Sequence, residues 1–252
     1  MQLAEAVNRT LARKSRAAAA ALLLSVAAGG AVHADIILSA SGLNATLKKM
    51  ERLTQQRASG TTRERAEALF ALGQEADALA ELLNDEVAAH GSQEKGLIDL
   101  ALARTAELGV SIAYKREKEK YFYDNAAFQQ YLKDAPRGPH AAEAEFKIIQ
   151  REFFQSAGMD IPAVLAASER KSAFLRRYRT FSRNAEVNLM LAMDYRDVYR
   201  HYQAANDVRQ RDRYLGLARG QLQLIAKRYA GSEQATIAQL LLRRLDALSR
   251  QQ

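Results

Sequence analysis

Apolar residues recur along this chain at steps of three and four for most of its length, a period that puts them on single faces of helices. Leu43, Leu47 and Met50 predict a first helix over residues 40–60, broken at Ala58-Ser59-Gly60. Thr61 and Glu64 have the form of a capping box, which starts a second helix. Leu69, Leu72, Ala76, Leu79 and Leu83 give that helix a coiled-coil-like seam. After a turn at His90-Gly91-Ser92, with Ser92 as the cap, Ile98, Ala101, Thr105, Leu108 and Ile112 carry a third helix. The second and third helices read as an antiparallel hairpin, with a homo-oligomeric coiled coil as the alternative. The run Lys115–Lys120, KREKEK, reads as a solvated helix face and as a boundary between two regions.

A sharper pattern lies at residues 128–148. Phe128, Tyr131 and Leu132 share one helical face, and Pro136 ends that helix by removing a donor and restricting Ala135. Gly138-Pro139 restarts the chain, with Pro139 at the first helical position. Ala142, Phe146, Ile149 and Phe153 then form one stripe, beside the small residues Ala141 and Ala144. This is an αα-hairpin corner, and it recurs at residues 222–242. There Leu222, Ile225, Ala235, Ala238 and Leu240 stand 94 positions after Phe128, Tyr131, Ala141, Ala144 and Phe146. A fainter copy at 174–191 lies between them, so the units are 46 and 48 residues apart. Such periodicity predicts a solenoid of helix pairs.

The rest of the chain is helical by the same criterion. Asp160 caps a helix with Pro162 in its first turn and Val164, Leu165, Leu175 and Tyr178 on its buried side. Leu191, Tyr195, Val198 and Tyr202 do the same for the next, and residues 203–207 bend the chain. Tyr214, Ala218, Leu222, Ile225 and Tyr229 line a long helix stopped at Gly231, in which Gly216 and Gly220 suggest close packing. Ser232 caps the last, with Ala238, Leu241, Leu245 and Leu248 as its stripe. The expected fold is all-α, about nine helices and no strand.

The corner at 121–155, and more loosely 222–245, resembles the tetratricopeptide (TPR) repeats of two envelope families. These are the periplasmic cell-division coordinators and the outer-membrane assembly lipoproteins. The resemblance implies antiparallel helix pairs stacked as a TPR-like right-handed solenoid over residues 119–252, preceded by an N-terminal helical hairpin region over 35–118. Phe128, Tyr131, Pro136, Pro139, Ala142, Phe146, Ile225 and Ala238 are the repeat positions. It also implies a concave face formed by the helix after each Pro-bounded turn. Lys147 and Arg151 on one such helix, with Asn188, Arg196 and Tyr199 on another, are then expected to grip an extended acidic peptide.

The first 34 residues read as a leader. Arg9, Arg13, Lys14 and Arg16 precede an apolar stretch at Ala17–Ala28, and Val32-His33-Ala34 offers a cleavage site after Ala34. An uncleaved anchor is the alternative, but Ala17 to Val32 is 16 residues, short of the ~20 of a spanning helix. Export to the periplasm is therefore expected. The absence of cysteine excludes thiol catalysis and thiolate metal sites. No phosphate loop, nucleophile elbow or metal-spaced histidine pair is present, so neither a cofactor, a metal nor an enzymatic activity is expected.

Charge is the remaining clue. The net charge is +8 and the isoelectric point about 9.7. Residues 61–110 carry ten acidic and four basic groups, net −6, whereas residues 170–219 carry five and twelve, net +7. That asymmetry suits an acidic partner on the C-terminal half; for an exported protein the partner is not nucleic acid. The sequence thus points to a periplasmic adaptor for an envelope protein or peptide. A carrier for anionic envelope lipid or glycan, and a cell-wall enzyme, are the alternatives.

Overall fold

The computed structural model describes residues 38–90, 95–155 and 160–250. Among them are nine helices and one two-stranded hairpin. They divide into two compact units, one running to Arg151 and the other starting at Glu152. The boundary expected near residue 118 falls inside the first unit. The leader and the Ser92 cap lie outside the described residues.

The first unit is built on α2. Helix α1 (Ala40–Ser59) starts on Ser39, whose hydroxyl accepts the Gly42 N–H at 3.1 Å, and it buries Leu43, Leu47, Met50 and Leu53. Helix α2 (Thr62–His90) opens with the expected box. The Thr61 N–H donates to Glu64 Oε2 at 2.8 Å, and the Glu64 N–H donates to Thr61 Oγ1 at 3.4 Å. Its seam of Leu69, Leu72, Ala76, Leu79 and Leu83 is buried throughout. Glu86 is also buried, and its Oε2 accepts the Leu38 N–H at 3.0 Å.

Helix α3 (Lys95–Glu107) buries Ile98, Ala101 and Thr105, but it does not reach Ile112. Gly109 at φ +71° lets the chain leave. The Gly109 N–H donates to Ala106 O and the Val110 N–H to Thr105 O, at 3.0 and 2.9 Å, which is a Schellman closure. The residues beyond it correct the expectation of an unbroken helix with a charged face. Strands β1 (Ile112–Lys115) and β2 (Lys120–Tyr123) pair antiparallel, with Tyr114 opposite Tyr121. The central charges of KREKEK form the connecting turn, and Glu119 takes the left-handed conformation at φ +54°. Asn84 on α2 joins β2 through its amide, which accepts the Tyr121 N–H and donates to the Tyr121 carbonyl at 3.0 Å.

Helix α4 (Ala126–Asp134) packs on α2 through Phe128 and Tyr131, both fully buried. A Cβ on Gly73 would sit 2.6 Å from the Phe128 ring, so only glycine permits that approach. Ala135 closes α4, its N–H donating to Tyr131 O, as the following Pro136 requires. Helix α5 (Ala141–Gln155) begins two residues later than the Pro139 start expected from sequence. Pro139 belongs to the turn, because the Tyr131 hydroxyl accepts the His140 N–H at 3.0 Å and delays helical bonding until Ala144 pairs with His140 O. The same hydroxyl occupies the space that a Cβ on Gly138 would need. The His140 ring stacks on Phe70 at 4.1 Å, with Nε2 2.9 Å from Glu67. On α5, Ala141, Ala144, Phe146 and Ile149 are buried, and Ala142 is half-buried.

The second unit holds α6 (Ile161–Arg177), α7 (Asn184–Ala204), α8 (Val208–Arg228) and α9 (Glu233–Arg250). Each packs on the next, and α9 also reaches α7. Asp160, Asp207 and Ser232 accept the Ala163, Gln210 and Ala235 N–H groups, so the caps at 160 and 232 stand as expected. The first half of α7 is buried nearly all round, from Val187 to Asp194, which makes it the centre of this unit. Ile225 and Ala238 are fully buried. Gly216 and Gly220 face open space rather than a close neighbour.

Candidate functional site

A concavity of the second unit lies among α6, α7 and α8, with a volume of about 420 Å³. That is within the usual size of a ligand site. One face of α6 supplies Leu165, Ser168, Glu169, Ser172 and Arg176, at steps of three, one, three and four. At 1.5 Å rise per residue these eleven steps extend over roughly 16 Å. Tyr195 comes from α7, and Arg213, Tyr214 and Leu217 from α8.

A charged pair lies directly behind this lining. Lys171 Nζ donates to Asp194 Oδ2 at 2.7 Å, and both side chains are 1% exposed. The Ser168 hydroxyl donates to Val164 O at 2.9 Å and lies 3.3 Å from the same carboxylate oxygen. The Phe153 ring lies under the Lys171 ammonium at 5.6 Å. The pair therefore clamps α6 to α7 and fixes the wall that carries Ser168 and Ser172. On the opposite side, Tyr214 is held between Tyr195, at 6.3 Å, and Tyr202, stacked at 5.8 Å. The Arg213 guanidinium lies 5.4 Å from the Tyr214 ring. Among the described residues neither Arg176 nor Arg213 has a carboxylate partner. Two cations, one carboxylate, four hydroxyl-bearing side chains and two leucines suit recognition of an extended polar segment.

The residues expected from sequence to form a groove are placed differently. Lys147 is half-buried and paired with Asp77 at 2.6 Å within the first unit. Arg151 is half-buried in the same unit, where its charge acts on the Tyr123 hydroxyl. Asn188 is buried; it donates to Asn184 O and accepts from the Gln221 amide, tying α7 to α8. Arg196 bonds its neighbour Asp197 at 3.0 Å. Tyr199 is fully buried. Asn188 and Tyr199 thus point into packing on a helix covered on several sides, where a single-face pattern had suggested exposure. The concavity itself uses α6 residues that no motif marks, and its only sequence signal is the polar spacing Ser168, Ser172, Arg176.

A second concavity, about 450 Å³, lies on the first unit beside the Pro136–Pro139 turn, lined by Thr62, Ala66, Tyr131, Ala135 and Pro139 with Arg63, Glu67 and Asp134. Elsewhere on α2, Glu81 keeps solvent contact. The protein around it, together with Asp77 and Asp85, pushes its pKa up against the opposing pull of Lys120 and Lys147. Burial likewise pushes the Tyr123 hydroxyl up, opposed by its bond from the Ala127 N–H. Burial and then the Arg196 charge lower the Arg200 guanidinium. No group of three metal-ligating side chains occurs among the described residues, and none of their helices is long and apolar enough to cross a membrane. No family model matches this chain, and comparison with curated proteins and with solved structures gives no match.

Proposed function

We propose that the protein is a non-catalytic helical adaptor of the bacterial envelope, with TPR-like stacking of its helix pairs, that holds a segment of a partner protein between α6, α7 and α8. The observation that carries this reading is the lining of that concavity. It combines guanidinium groups that have no carboxylate partner among the described residues with hydroxyls and apolar side chains, along roughly 16 Å of α6, the span of a short extended peptide. The buried Lys171–Asp194 clamp supports it by keeping the walls rigid before a ligand arrives. The leader-like first 34 residues support a periplasmic location for the adaptor, with cleavage after Ala34. A second reading, a carrier for anionic envelope lipid or glycan, draws on the excess of seven positive charges over residues 170–219.

A photo-crosslinking amino acid at Leu217, which is 40% exposed in the groove, tests the adaptor in intact cells. The control is the same group at Leu240, 41% exposed on α9 and outside the lining. One defined protein adduct from position 217 and none from 240 is expected. Adducts of equal yield from both, or none from either, would remove the proposal. Lipid or glycan adducts confined to 217 would favour the carrier instead.

A further inference from the structure

We infer that the segment held by this groove is an extended acidic peptide of about five residues, its carboxylate bound by Arg176 and Arg213 and an aliphatic side chain seated on Leu165, Leu217 and Tyr195. This deepens the adaptor reading and rests on it. The length comes from α6. Its lining residues run over roughly 16 Å, which an extended chain at ~3.3 Å per residue crosses in about five residues.

Charge sets the chemistry. Arg176 and Arg213 are the cations of the lining, and neither is neutralised by a carboxylate among the described residues. A guanidinium holds a carboxylate with two parallel hydrogen bonds, so an acidic side chain is the matching group. Glu169 decides against a polyanion. It lies on the same face, seven residues before Arg176, or roughly 10 Å away along the axis. A sheet of lipid phosphates or an anionic glycan would meet a like charge there. A peptide instead presents backbone N–H groups that the Glu169 carboxylate accepts. Ser168 is already bonded to Val164 O and acts as wall; Ser172 remains to bond the backbone of the guest.

The test uses an amidated, fluorescently labelled pentapeptide of Leu and Ser with a single Glu, and its Gln counterpart, titrated with the mature protein by anisotropy. The Glu peptide is expected to bind at least about tenfold tighter, with the preference shrinking as salt shortens the Debye length. Arg176→Gln with Arg213→Gln should erase the preference while far-UV dichroism and melting stay unchanged. The charge-reversed pair Arg176→Glu with Arg213→Glu should turn it toward the Lys counterpart. Equal binding of the Glu and Gln peptides, or a preference that survives the double Gln variant, overturns the inference. So does displacement of the Glu peptide by phosphatidylglycerol vesicles at equal anion concentration. The adaptor reading fails separately. If Leu217 crosslinks a partner through a segment without acidic residues, the acidic specificity is wrong and the adaptor stands; if Leu217 captures no partner, the adaptor falls.

Discussion

Replacing Asp194 by alanine would leave the Lys171 ammonium inside the second unit without the carboxylate that it touches at 2.7 Å. Both side chains are 1% exposed, so water cannot take over without opening the α6–α7 contact. Removing one member of such a buried pair typically costs ~3–5 kcal/mol, most of it the stranded charge. Against a total stability of ~5–15 kcal/mol this is a large fraction. At ~2–4 °C per kcal/mol for a chain of this size, it corresponds to a fall in melting temperature of roughly 6–20 °C. Urea unfolding followed by far-UV dichroism measures it, since the described residues are predominantly helical. The partner experiment is Lys171→Met with Asp194→Leu, which replaces both charges by apolar groups of similar volume and should recover most of the loss. An Asp194→Ala protein within about 1 kcal/mol of the parent would refute the reasoning, because the ammonium would then be solvated. A double variant no better than the single would assign the loss to packing and not to charge.

Two further substitutions probe the first unit. Glu81 has its folded pKa raised, so its contribution to stability is present below the unfolded value near 4.5 and lost as pH rises through the folded value. Glu81→Gln should therefore raise the melting temperature at pH 7 and have no effect at pH 3; a variant less stable at pH 7 would contradict this sign. Gly73→Ala should destabilise by ~1–3 kcal/mol, since its Cβ would meet the Phe128 ring at 2.6 Å, and Phe128→Leu in the same chain should relieve part of that cost. An unchanged denaturation midpoint for Gly73→Ala would mean that α4 moves freely on α2.

Local signals in the sequence translated well. The Thr61–Glu64 box, the Asp160 and Ser232 caps and the Pro136 stop each depend on residues within a few positions, and each is where the sequence put it. The seam of α2 was legible because a polar, solvated side with Gln74, Glu81 and Asp85 remains opposite it. Helix α7 defeated the same logic. Its first half is covered on several sides, so positions off the Leu191–Val198 stripe, such as Asn188, are interior as well. The hairpin at 112–123 was missed because its turn carries Arg116, Glu117, Lys118 and Glu119 with no glycine, and because Ile112 extends the spacing of α3 by chance. Leu108-Gly109 was the available clue, a glycine placed to end a helix. The groove was illegible for a different reason. Lys171 and Asp194 are 23 positions apart on separate helices, and nothing in either neighbourhood announces that they meet.

One side chain on α2 governs how the small sheet behaves toward other molecules. A strand pair has two outer rims of unsatisfied amides, and each rim invites another chain to add on. At Tyr121 the N–H and carbonyl turned away from β1 are both taken by the Asn84 amide. Asn84 thus imitates one residue of a third strand and closes the β2 rim with a group that cannot propagate. On the β1 side, Lys115 at the end of the strand adds charge that discourages pairing. The hairpin can therefore sit in an otherwise helical protein without seeding intermolecular sheet. Losing the amide at position 84 would expose a recruiting edge long before it unfolded the helices around it.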